Sequence, residues 1–408
     1  MGPVPIFLRV FLPFVAGYFF SYVFRSLNAI LGPQIAAEFG LDAAQLGLLT
    51  SVYFLGFGLV QIPAGLLLDR YGPARVDAAL LVLAAAGAAL FALAPSYPAL
   101  VMGRALIGIG VSVCLMATLQ AFVLWYPIER IAGMNSRAFA VGILGAITVS
   151  VPLEAALQLV PWRTIVWLLA ALTLATSALL WLAVPARPRE NPRDSLADAL
   201  AGVRALLADA AFRRTAVMIC SSQFAAVSLS TLWIATWLRD VAGYDRAQVA
   251  QGLLAAALGL MAGYLVLGRL ADARAQTGRS GVPLVAGGIA ASSLCLLLLA
   301  SGVTTAALAL WMAFLFSSSS AVLGYAILSR RFPKAMAGRV NTTLNTFAFL
   351  GMFLGQWVVG LILNLWPPTG TGYEPRAYVW AFGALWLVQL LGLLWFWSGR
   401  RLFQGSSA

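Results

Sequence analysis

Charge-free, predominantly apolar runs recur along the whole chain, among them Leu80 to Leu93, Val166 to Val184 and Leu284 to Ala300. Each approaches the roughly 20 apolar residues that a bilayer-spanning helix needs, about twice what a spanning strand needs. Lipid offers the backbone no hydrogen-bonding partner, so such runs must close their own bonds as helices. The pattern therefore predicts an all-α integral membrane protein. The longest polar stretch is the segment from Pro185 to Arg214, with Pro185, Pro188 and Pro192 beside Arg187, Arg189, Glu190, Arg193 and Asp194. Its second part, Leu196 to Leu207, sets Asp198 and Arg204 among Ala and Leu at helical spacing and predicts a short helix at the membrane surface.

The halves on either side of this segment repeat one another. Gly40, Asp42, Ala44, Gln45, Gly65 and Asp69 recur 203 residues later as Gly243, Asp245, Ala247, Gln248, Gly268 and Asp272. A shared register of this kind marks an internal repeat, as in transporters built from two similar bundles. The expected organisation is an N-terminal bundle of six helices over residues 1–185, a cytoplasmic linker over 186–212 and a C-terminal bundle of six over 213–408.

Composition sharpens this picture. The chain of 408 residues is 62% hydrophobic and 10% charged, against about 25% charged in soluble domains. Its net charge of +12 is no nucleic-acid signature, because the basic residues sit in short loops and form no stripe on a soluble surface. With the N-terminus placed inside, the positive-inside rule assigns to the cytoplasm every Lys and Arg except Arg25, Arg104, Arg163, Arg239, Arg246 and Arg376. Both termini are then cytoplasmic. The first apolar run begins near Phe7 without a cleavage signal, so it reads as a retained helix. Lys334 is the single lysine in a chain rich in Arg and Ala, a bias of GC-rich bacterial genomes, which points to a bacterial inner membrane. Cys114, Cys220 and Cys295 lie in separate apolar segments and His is absent, so neither a metal nor a cofactor is expected.

One loop names a family. Gly65-Leu-Leu-Leu-Asp69-Arg70-Tyr-Gly72-Pro-Ala-Arg75 resembles the signature between the second and third helices of the major facilitator superfamily, and Gly268-Arg-Leu-Ala-Asp272-Ala-Arg274 is its partial echo. Gly65 would permit close helix contact, while Asp69, Arg70 and Arg75 would bond to neighbouring helix ends and latch one conformation. Arg104, within Gly103-Arg104-Ala-Leu-Ile-Gly108-Ile-Gly110, is similar to the family's fourth-helix arginine in a Gly-rich helix. The resemblance covers essentially the whole chain and implies twelve transmembrane helices in two pseudo-symmetric six-helix bundles acting as one chain. The fifth helix lacks the Gly-Pro-x-x-Gly-Gly element typical of proton-coupled drug exporters.

Ionisable groups inside the membrane are costly, so each is a candidate for function. Arg25 shares a broad face of the first helix with Tyr18, Ser21, Tyr22 and Asn28. Tyr22-x-x-Arg25 followed by Pro33 is similar to anion-transporting branches of the superfamily, where this arginine grips phosphate or carboxylate through its planar fork. The alternative is that Arg25 snorkels to the outer interface or pairs structurally. Glu154, read as the one acid within a span, is the proton-coupling candidate, with Arg163 or Arg104 as alternative partners. Gln120, Gln223, Asn341 and Asn345 complete the expected substrate set. Trp233, Trp237 and Trp357 would wall a cavity or anchor the membrane interface.

No Walker-type loop and no nucleophile with an adjacent base occurs, so an enzyme is not expected. The reading is a secondary transporter for uptake or proton symport of a small organic anion such as a monocarboxylate. Efflux of a drug-like compound by proton antiport, or a transporter-like sensor, are the alternatives.

Overall fold

The computed structural model describes residues 7–184, 196–333, 336–369 and 372–399. The linker's prolines and charges from Pro185 to Asp194, together with Lys334, Arg400 and Arg401, lie outside the described residues.

Helix follows helix, as the apolar runs predict. The first ten are α1 (Leu12–Ser26), extended at its start by a π turn Phe7–Phe11, then α2 (Asn28–Phe39), α3 (Ala43–Leu59), α4 (Gln61–Tyr71), α5 (Pro73–Leu93), α6 (Tyr97–Gly110), α7 (Cys114–Trp125), α8 (Ile128–Thr148), α9 (Val151–Leu157) and α10 (Trp162–Ala183). The linker region supplies α11 (Leu196–Ala208). Beyond it come α12 (Ala210–Ser228), a π turn Leu229–Trp233, α13 (Ile234–Asp240), α14 (Arg246–Gln276), α15 (Val282–Ala300), α16 (Ala307–Ser318), α17 (Ser320–Arg330), α18 (Ala337–Leu363) and α19 (Pro375–Ser398). Among the described residues, 11 helical stretches are long and apolar enough to cross a membrane. The pair α3 and α4, bent by 48°, brings the number to 12.

The chain divides into two compact units, one of Met1–Leu41 with Leu48–Leu196, the other of Asp42–Gly47 with Ala197–Ala408. The short stretch Asp42–Gly47 belongs to the second unit because the Ala43 amide donates to Asn364 Oδ1 at 2.9 Å and Gly47 lies against the backbone of Gln356.

The internal repeat has a local physical meaning. Gly40 and Gly243 both adopt positive φ, 63° and 72°, a conformation that favours glycine. Two residues on, Asp42 Oδ1 accepts from the Gln45 amide at 2.8 Å while Gln45 Oε1 accepts from the Asp42 amide at 3.1 Å. Asp245 and Gln248 repeat this reciprocal box at 2.8 and 3.0 Å. Each box satisfies amides that a helix start leaves open. Asp245→Ala is expected to cost about 1 kcal/mol, seen as a lower unfolding midpoint.

Small residues bring the helices of the first unit close together. α5 packs between α6 and α10. A Cβ added at Gly103 would stand 2.8 Å from the Gly87 carbonyl, and one at Gly108 would overlap the Tyr53 carbonyl. Gly108→Ala must therefore displace α6 from α3, and a loss of about 1–3 kcal/mol in stability is expected in thermal unfolding. Gly65 departs from expectation, since a Cβ there, as at Gly268, would meet nothing within 4 Å. These two glycines permit no close contact in this conformation.

Candidate functional site

The first unit gathers charge where its first helix breaks. α1 ends at Ser26 and α2 begins at Asn28, with Pro33 inside α2. The carbonyls just before the break are taken up by Arg104, whose Nη1 donates to Phe24 O at 2.7 Å and Nη2 to Arg25 O at 3.5 Å. Arg104 is fully buried, and its guanidinium sits 4.9 Å from the Tyr53 ring centre. A cation suits a helix C-terminus, where the backbone dipoles leave partial negative charge. Arg104 thus braces the first helix in this conformation.

Arg25 occupies the last turn of α1, half-buried, with its guanidinium carbon 4.8 Å from the Tyr22 ring and 5.7 Å from the Phe57 ring. Tyr53 lies alongside, its hydroxyl donating to the Ser21 carbonyl at 3.0 Å. Tyr18 donates to Tyr22 across 3.4 Å, and their rings meet edge to face. On the far side of the break Asn28, fully buried, donates from Nδ2 to Thr50 Oγ1 at 3.0 Å. Its Oδ1 meets no donor among the described residues. The structure therefore brings Arg25, Tyr18, Tyr22 and Asn28 together. It adds Tyr53, Thr50 and Phe57, whose spacing along α3 puts them on one face, a signal the sequence carried.

Other candidates fall elsewhere. Gln120, expected at the substrate, donates instead to Asp69 Oδ1 at 3.1 Å and so ties α7 to the signature loop. Arg70 stacks over Tyr71 at 5.4 Å, and Gly72, with φ 81°, turns the chain from α4 into Pro73 of α5. Arg75 and Arg9 flank a cleft of about 250 Å³ beside the end of α10. In the second unit Arg274 Nε donates to the Ser280 carbonyl at 3.3 Å, and Asp272 is exposed.

Glu154 is buried on α9. The alternative partners named for it are engaged elsewhere, Arg163 with Glu38 and Arg104 with the α1 carbonyls. A second acid lies within a span, contrary to the reading that Glu154 stands alone. Asp77 sits in the stretch Pro73–Leu93 and is fully buried.

In the second unit, Gln223 of α12 is half-buried and bonds with the Tyr325 hydroxyl. Asn341 Oδ1 accepts from Ser329 at 2.9 Å at an exposed position, and Asn345 is half-buried on α18. Trp233 and Trp237 are fully buried and so anchor no interface. Trp233 Nε1 donates to the Gln356 carbonyl at 3.0 Å. A cluster of His, Cys, Asp or Glu able to hold a metal is absent among the described residues.

Known proteins resemble this arrangement at three levels. The probable sulfoacetate transporter SauU of Cupriavidus necator is 30% identical over 268 residues, a match spanning 60% of this chain and 60% of that one. The probable galactarate/D-glucarate transporter GudP of Bacillus subtilis is 22% identical over 379 residues, 84% of this chain and 83% of that one. In structure, a bacterial homologue of the human lysosomal transporter Spinster superposes with a TM-score of 0.76 at 17% identity, covering 98% of each chain, which shows the fold. The sequence pattern of the Major Facilitator Superfamily matches residues 14–356, so the chain belongs to that superfamily of multi-pass membrane proteins.

Proposed function

We propose that the protein takes up a small organic anion, such as a carboxylate or sulfonate, by alternating access, with a proton as the coupling ion. The observation that carries this reading is Arg25, a guanidinium held inside the first unit against Tyr22, Phe57 and Tyr53 at a helix break. A guanidinium presents paired donors that match an oxyanion. Tyr18, Tyr22 and Asn28 supply neutral hydrogen-bonding groups beside it, and Arg104 adds a second positive charge behind the helix. The relatives' names, sulfoacetate and galactarate or D-glucarate, fit a carboxylate-bearing cargo. In this reading both termini lie in the cytoplasm of a bacterial inner membrane, an orientation that the distribution of Arg supports. In the same reading the signature residues Asp69, Arg70 and Arg75 switch partners between conformations, and one chain is the working unit.

The test is a thermal-stability screen of the purified protein against carboxylates, sulfonates, phosphate, sugars and amines, because a ligand of the native state raises the midpoint. Sulfoacetate or a related anion should stabilise the wild type and leave Arg25→Ala unmoved. Stabilisation by amines or sugars that persists in Arg25→Ala would sink the anion reading.

A further inference from the structure

We propose that Asp77 is a proton-binding site of the first unit, whose proton exchanges with water when the contact among α1, α5 and α7 opens. Its place in coupling rests on the transport reading above. Asp77 stands in the second turn of α5, fully buried within a membrane-crossing stretch. Its carboxyl oxygens meet no N–H or O–H donor among the described residues, and the weak Cys114 thiol is the group that bonds to them.

Each packed element shows what faces it. From α1 comes the bare backbone of Gly17, where a Cβ would stand 3.6 Å from Asp77 Oδ2 and 3.9 Å from Cys114 Sγ. Tyr18, next along, spends its hydroxyl on Tyr22. From α7 comes the Cys114 thiol, the titratable group against the carboxyl and a weak donor. From α10 comes Ser177, whose hydroxyl donates to the Ala78 carbonyl at 2.7 Å. The cation of α6, Arg104, is committed to the α1 carbonyls, while Arg70 of α4 and Arg75 of α5 itself are exposed.

Burying a carboxylate without a counter-charge costs far more than burying the neutral acid. The closed pocket accordingly accommodates a carboxylic acid. Releasing the proton requires water to reach the site, which separation of α1 or α7 from α5 would admit. An apolar side chain would fill this position without any desolvation cost, so an acid here is maintained against stability.

Infrared difference spectra of the purified protein between acidic and alkaline buffers test the assignment. The wild type should show a carboxylic-acid C=O band lost on alkalinisation, absent from Asp77→Asn and displaced but present in Asp77→Glu. If Asp77→Asn does not fold, the Asp77→Glu spectrum decides alone. Wild-type and variant spectra that superimpose would overturn the proposal. The readout needs no transported anion, so it stands or falls separately from the substrate reading.

Discussion

Arg25→Ala is expected to cut the initial rate of anion uptake into proteoliposomes by at least about 30-fold while the variant remains folded. Truncating one partner of a buried charge pair costs about 2–5 kcal/mol, and every 1.4 kcal/mol is tenfold. The fold should tolerate the change because the Phe24 and Arg25 carbonyls at the helix break are held by Arg104, and Tyr53, the side chain that Arg25 bonds with, keeps its bond to the Ser21 carbonyl. Arg25→Lys keeps the charge and loses the planar fork, so an intermediate rate is expected. Comparison of uptake rates with unfolding midpoints checks both halves of the expectation. An Arg25→Ala protein that transports normally would return the residue to a structural role.

Arg104→Ala should give the opposite signature. Removing this side chain leaves the Phe24 and Arg25 carbonyls without their donor and uncovers the Tyr53 ring, all in a buried setting. An unsatisfied buried group costs about 1–3 kcal/mol, so a loss of about 2–4 kcal/mol in stability is expected, together with weaker anion binding as the Arg25 turn loosens. Arg104→Lys, a compact point charge, reaches one carbonyl and should recover part of the midpoint. The pair of variants separates a residue that touches cargo from one that positions it. If Arg104→Ala unfolded at the wild-type temperature, the brace would be refuted.

The fold was legible because lipid leaves the chain few options. Charge-free runs had to be helices, and the repeat of Gly40, Asp42 and Gln45 as Gly243, Asp245 and Gln248 proved to be a pair of positive-φ turns followed by capping boxes. The short helix α11 follows the Ala and Leu spacing that predicts it. At the site, Arg25 stood out as an arginine inside an apolar run, and the cluster of Tyr18, Tyr22 and Asn28 around it follows from helical periodicity. The partners of Arg104 were not legible, since its acceptors are backbone carbonyls and those carry no mark in the sequence. The partner of Gln120 was not legible for a related reason. Its partner Asp69 lies 51 positions away, and only the folded chain brings the two together. Asp77 was passed over because it follows closely on the signature loop and reads as part of it, whereas α5 starts at Pro73 and carries it into the buried interior. The two buried tryptophans show that base rates for membrane-interface anchoring yield to local packing, here Trp233 on Gln356 and Trp237 edge to face with Trp311.

The most direct measurement is uptake of radiolabelled small carboxylates and sulfonates into proteoliposomes, run beside neutral sugars and organic cations, with an inward proton gradient and then without one. Anion accumulation that needs the gradient and disappears in Arg25→Ala is the expected result. Uptake confined to neutral or cationic compounds, or anion uptake indifferent to Arg25, would contradict the proposed function.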